Sequence, residues 1–228
     1  MSAGSHRGWR TGAVVIAWAL TCAMGCTSPT TPPSDDGGTM DDGRVGSGRA
    51  VIVLSADADS LEDDVELLTI DLGVSEVRAR NDRGGDLEPS RVDVGRLALL
   101  NGPARIELDA VPATYGAARV QLDEGAWGHA IEVRVREGDT TWHLLADEPV
   151  VIDARCATPV QLDPDGTVEI AASIDLGEVH QHLREAGLPR PADGTIVVDR
   201  ERAPAVLDEV LEELREHLRS TCSAELDD

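Results

Sequence analysis

From Ala50 onward the apolar positions fall in short bursts set apart by polar breakers. Val51-Ile52-Val53-Leu54 is unbroken, the pattern of a strand covered on both faces. Leu68, Ile70, Leu72 and Val74 instead alternate with Thr69, Asp71, Gly73 and Ser75, which buries one face of a strand. After Val74 the phase slips to Val77 and Ala79 and predicts a bulge, and Asn81 to Asp86 supplies a turn. Further strands are predicted around Val92 and Val94, Ile106 and Leu108, and Tyr115 to Leu122. Ile131, Val133 and Val135 lead through the tight turn Glu137-Gly138-Asp139 to Trp142 and Leu144, a hairpin. Val150 to Ile152, Val160 to Leu162 and Val168 to Ile174 complete about eight to ten strands with turns roughly every eight to twelve residues. That spacing predicts a mainly β protein, an antiparallel β-sandwich.

The last third changes period. Leu176, Val179, Leu183 and Ala186 recur at helical spacing until Gly187 and Pro189, giving a short helix, and Ile196 to Val198 is one more strand. Pro204 fits a first helical turn. Val206, Leu207, Val210, Leu211, Leu214 and Leu218 then mark one face of a C-terminal amphipathic helix reaching about Arg219, opposite Glu209, Glu212, Glu213 and Glu216. Such a face packs on its own sheet or receives a partner.

The amino-terminal segment has a different character. His6, Arg7 and Arg10 precede an apolar run from Thr11 to Gly25 of signal-peptide length, which ends at Ala23-Met24-Gly25-Cys26. This stretch resembles bacterial lipoprotein signal peptides. The resemblance implies removal of residues 1–25, a diacylglyceryl group on Cys26, and anchoring in the membrane through lipid. The other reading is an ordinary secretory signal cut elsewhere, or an uncleaved anchor. Residues 26–48 continue with Thr, Ser, Pro, Asp and Gly, a composition that buries too little surface to order itself and reads as a tether of about 25 Å reach. Thr27 beside the acylated cysteine points to the outer membrane under the sorting pattern of that class.

Removing Cys22 with the signal and Cys26 by lipidation leaves Cys156 and Cys222 in an oxidising compartment. They are expected to form one disulfide between a mid-domain turn and the end of the last helix; two separated thiols are the alternative. The folded part divides into a β-sandwich over 49–176 and a helical extension over 177–228 packed on it.

Leu108-Asp109-Ala110-Val111-Pro112-Ala113-Thr114-Tyr115 followed by Arg119-Val120 resembles a segment of an uncharacterised domain family of bacterial lipoproteins. The family's opening strand, acidic loop and second strand correspond here to Val51 to Leu54, Asp57 to Asp64 and Thr69 to Arg80. The resemblance spans roughly Arg49 to Leu176 and implies a prealbumin-like or carboxypeptidase-regulatory-like β-sandwich without implying an activity. Ala113 stands where glycine is common, and the helix from Pro204 is an addition. Pro112 fixes one backbone angle at the turn, and Tyr115 is expected to bury its ring while its hydroxyl finds a backbone acceptor.

Composition narrows the chemistry. Net charge is -23 and lysine is absent, so a Walker-type phosphate loop, a Schiff-base lysine and a Ser-Lys dyad are excluded. So acidic a chain is a poor match for nucleic acid. The acidity fits either a GC-rich coding bias or adaptation to salt. Helical spacing separates His180 from His182, and no H-E-x-x-H or C-x-x-C occurs, so no metal site is expected. Asp57, Asp59, Glu62, Asp63 and Asp64, and the turn Asp163 to Gly166, read as solvated acids, with calcium coordination as the alternative. Ser47 lies between glycines in the tether and not in a nucleophile elbow. No catalytic residue and no cofactor are assigned. Trp127, in the loop Gly125 to Gly128, is the best candidate for a binding contact if exposed and a cap on the core if buried. The expectation is a non-enzymatic, lipid-anchored envelope protein whose sandwich binds a partner or ligand or serves a structural role; a calcium-dependent adhesion domain and an envelope hydrolase are the alternatives.

Overall fold

The unbroken apolar run forms strand β1 (Gly48–Asp57), in which Ala50 to Leu54 are all buried. The computed structural model describes residues 47–81, 83, 85–216 and 218–225, with 86–92, 216 and 225 described by backbone alone. The signal segment, Cys26 and the tether as far as residue 46 lie outside the described residues.

Strand β1 is flanked by β4 (Ala104–Ala110), antiparallel, and by β9 (Thr167–Asp175), parallel. β11 (Arg219–Glu225) adds to the far edge of β9 and completes a four-stranded sheet. Alternation divides β1 between two environments. Ala50, Ile52 and Leu54 join the central core. Val51 and Val53 face the other way, where the Arg105–Glu169 ion pair at 2.9 Å reaches across β1 from the two neighbouring strands.

The second sheet is organised around β2 (Val65–Asn81). One edge of β2 pairs with β3 (Asp86–Ala98). The other edge pairs in two stretches: Val65 to Leu72 with β6 (Ile131–Glu137), and Val74 to Asn81 with β5 (Thr114–Leu122). β7 (Thr140–Ala146) pairs with β6 and β8 (Val150–Gln161) with β5. Thus β5 with β6, and β7 with β8, form the two arms of one long hairpin that closes at Gly138, whose φ is +56°. β10 (Thr195–Val198) extends the sheet parallel to β7. The fold is mainly β and sandwich-like, as the strand pattern predicts, with two parallel pairings among the antiparallel ones. The predicted bulge is present as a register shift between Val74 and Glu76.

Helix α1 (Leu176–Glu185) begins where Asp175 Oδ1 accepts hydrogen bonds from the backbone N–H groups of Gly177 and Glu178. Helix α2 (Pro204–Glu216) starts at the expected proline and buries Leu207, Val210, Leu211 and Leu214, so its apolar face is used at home. The sequence pattern carries this helix to about Arg219. Arg219 is instead the first residue of β11, because the segment Arg219 to Glu225 satisfies its backbone against β9. Residues 177–228 therefore contribute a strand to each sheet as well as two helices.

A second difference concerns Cys156. The sequence places it in a turn between two short strands, but β8 is one strand with a bulge: pairing with β5 jumps from Tyr115–Val160 to Ala117–Arg155. Pro159, which cannot donate to a ladder, sits in the skipped stretch. From this bulge Cys156 forms the expected disulfide with Cys222 of β11, with a Cα–Cα distance of 5.5 Å. Tyr115 is fully buried and its hydroxyl donates to the Val111 carbonyl at 2.8 Å, as the turn sequence anticipates. Among the described residues no helix is long and apolar enough to cross a membrane.

Candidate functional site

Where β2 changes partner, Gly73 donates its N–H to the Ala130 carbonyl at 2.9 Å and accepts from the Asp123 N–H at 2.9 Å. A Cβ at this position would collide with the carbonyl oxygens of Asp123 and His129. Glycine is therefore required for the chain to leave β2 after β5 and return to it at β6. The excursion between them, residues 123–130, winds through one short 3-10 turn at Gly125–Trp127. It is fixed by hydrogen bonds from the N–H groups of Trp127 and Gly128 to the Glu124 carbonyl.

This loop presents Trp127 with 52% of its surface exposed, which decides between the two sequence readings in favour of an accessible ring. Trp142, by contrast, is buried. The indole stands near Gly95 of β3, where a side chain would be in contact with the ring edge. Gly95 and Asp93 both adopt left-handed backbone angles, φ +97° and +54°. For an aspartate this is a sparsely populated conformation, of the kind that concentrates at functional positions.

Two depressions meet at Trp127. The larger, about 470 Å³, runs along Val74, Ser75, Asp93, Gly95, Asp123 and Trp127. Among the described residues it is lined by two carboxylates and no basic side chain. The smaller, about 170 Å³, is lined by Asp71, Arg96, Trp127, His129 and Glu132. Asp71 is buried and ion-paired with Arg96, whose guanidinium is held above its ordinary value by that hydrogen bond. Glu132 Oε1 accepts a hydrogen bond from His143 Nε2 at 3.1 Å and pairs with Arg134 at 2.9 Å. Burial, and then the Arg134 charge, push His143 below the usual imidazole range against the pull of Glu132. The neutral form of His143 is thereby favoured over the charged one. The Nδ1 of His129 is buried with no hydrogen-bond partner among the described residues.

The other sequence candidates are distributed elsewhere. His180 and His182 lie on helix α1, as their spacing requires, and do not share a face. His180 is buried, with Nε2 3.4 Å from Glu137 but not aligned for a hydrogen bond. In the first acidic loop Glu62 pairs with Arg184 at 3.2 Å and Asp57 with Arg219 at 3.6 Å, so arginines engage two of its five carboxylates. The turn at Asp163 closes through the Gly166 N–H to the Asp163 carbonyl, with Asp165 at φ +64°. Ser47 is exposed. Arg119 grips Asp153 with two hydrogen bonds, of 2.9 and 3.0 Å, and holds its carboxyl below the usual range. That is an ionised structural carboxylate rather than a proton donor.

The sequence identified Trp127 by residue type and loop position. It missed Asp93, Gly95 and Asp123, since nothing in their local pattern reveals that β3 and the excursion meet beside the indole.

No family model matches the sequence, and no curated protein matches it. Among solved structures, MbnP from Methylosinus trichosporium is similar with a TM-score of 0.33 and 11% identity, covering 57% of this chain and 76% of that one.

Proposed function

We propose that the protein is a lipid-anchored cell-envelope binding module, without catalytic activity, that receives a cationic group at Trp127. The observation that carries this reading is an exposed indole beside a groove whose charged lining residues are Asp93 and Asp123. An ammonium or guanidinium group over the ring face is attracted by the ring quadrupole, by about 0.5–2 kcal/mol depending on desolvation. Two flanking carboxylates add Coulomb attraction and discriminate against anions. The left-handed Asp93 and the glycine-fixed excursion hold these groups in place before a ligand arrives, which limits the ordering cost of binding.

The address part of the proposal rests on Ala23 to Cys26 and on the tether. A lipid at Cys26 would hold the body at the outer membrane with the reach of that tether. Replacement Cys26→Ala should move the protein from the membrane to the soluble fraction; continued membrane retention counts against the anchor.

The binding part is tested with choline as the probe. Titration should shift the Trp127 indole N–H resonance saturably, leave that of Trp142 unmoved, and weaken several-fold in Asp123→Asn. No movement of the Trp127 resonance at millimolar choline, or an equal response to acetate, would remove the cation-binding reading.

A further inference from the structure

The structure assigns a second site, a divalent transition-metal site of the zinc class formed by Glu178 and His182 of α1 and Glu213 of α2. Four-residue spacing places Glu178 and His182 on one face of α1, and packing of the two helices brings Glu213 against them. One ligand atom from each residue lies within 4.8 Å of the other two. His182 Nε2 and Glu213 Oε2 are already 3.2 Å apart, close to the separation of about 3.4 Å between neighbouring ligands of a tetrahedral zinc ion. The remaining gap is closed by rotation of the Glu178 side chain, which is exposed and long enough to turn.

The surroundings favour a cation. Glu213 is mostly withdrawn from solvent, with a side-chain exposure of 16%, and Glu178 and Glu213 border a small cavity of about 10 Å³ next to Val179 and Leu214. An imidazole with two carboxylates matches zinc-class ions, whereas calcium takes six to eight oxygens and has little use for a nitrogen donor. Cys156 and Cys222, bound in their disulfide, do not compete. A metal ion here joins α1 to α2 on the side of the body that carries β11.

The test is titration of zinc into the full chain in detergent against a chromophoric chelator. One zinc per chain should bind with micromolar or tighter affinity and raise the melting temperature, while calcium at the same concentration does neither. Affinity should fall at least about tenfold in His182→Ala and in Glu213→Gln, by analogy with the loss seen when groups supporting a ligand are removed. Glu178→Gln, at an exposed position, serves if the other two variants fail to fold, and His143→Ala should leave the site intact. Cobalt in place of zinc should give ligand-field absorption that His182→Ala abolishes. Absence of saturable zinc binding, or binding that persists unchanged in Glu178→Gln and His182→Ala, overturns the assignment.

Discussion

Replacing Cys156 and Cys222 together by serine tests how β11 is held. The two residues are 66 apart in sequence. Removing their link restores to the unfolded chain an entropy that the loop-closure relation puts at about 4.3 kcal/mol at 25 °C for this length. Native contacts change little, because both cysteines are only half-buried, so each serine hydroxyl can reach water. With an unfolding entropy of about 2.1 cal/mol/K per residue over roughly 180 folded residues, the melting temperature should drop by roughly 11 °C. Urea unfolding of the oxidised protein and the double variant, followed by far-ultraviolet circular dichroism, measures the difference directly. Amide exchange supplies an independent check. Because β11 keeps its ladder with β9, its protection should fall only as far as global stability does. A loss below about 1 kcal/mol would refute the entropic account. Selective exchange of β11 with the rest of the body unchanged would show instead that the bridge pins a strand that cannot hold by itself.

Three further outcomes follow from named contacts. Gly73→Ala forces a methyl group against two backbone carbonyls and should cost about 1–3 kcal/mol in urea unfolding, with the Trp127 indole resonance displaced. An unshifted Trp127 would mean that the excursion does not depend on the partner change. His143, facing Glu132, Arg134 and His129, has its folded pKa pushed below the unfolded value of about 6.5, so the unfolded state takes up the proton first. The stability from its neutral form is therefore complete above that pH and is lost as pH falls through the folded pKa. His143→Gln should flatten the acid limb of stability against pH relative to the wild type, and parallel curves would exclude this histidine as a cause. Asp153→Asn removes a partly exposed carboxylate gripped by Arg119 and should cost about 0.5–1 kcal/mol at pH 7, measured by thermal melting. Because the folded pKa of Asp153 is depressed, that difference should begin to shrink as pH falls below about 4 and be lost as pH falls through the lower folded value.

Much of the sandwich was legible because apolar alternation is enforced residue by residue. Ala50 to Leu54, the phase slip after Val74, and the ring of Tyr115 each carry their burial in the local pattern. β11 was not legible: Arg-Ser-Thr-Cys-Ser-Ala-Glu has no alternating apolar face, and it forms a strand because β9 offers an open edge. The continuity of β8 was hidden by the bulge at Pro159, which reads as a break when only the sequence is available. At Trp127 the exposed ring was foreseeable from its glycine-flanked loop, but the acidic groove joins residues from β2, β3 and the excursion, about fifty positions apart. The grouping of Glu178, His182 and Glu213 likewise depends on how two helices meet, which their separate periodicities do not specify.

The excursion at residues 123–130 leaves the edge of β2 and rejoins it on either side of a single residue, Gly73. Its ends are thus held side by side by the scaffold, and nothing in the ladder of β5 or β6 depends on what lies between them. Any segment whose termini meet at that gap could be exchanged for the present one while the long hairpin keeps its register. The Trp127 loop is in this sense a replaceable cassette: related chains with the same sheets could differ in what they recognise by changing this insert alone, and a designer could transplant a foreign loop there at little risk to folding.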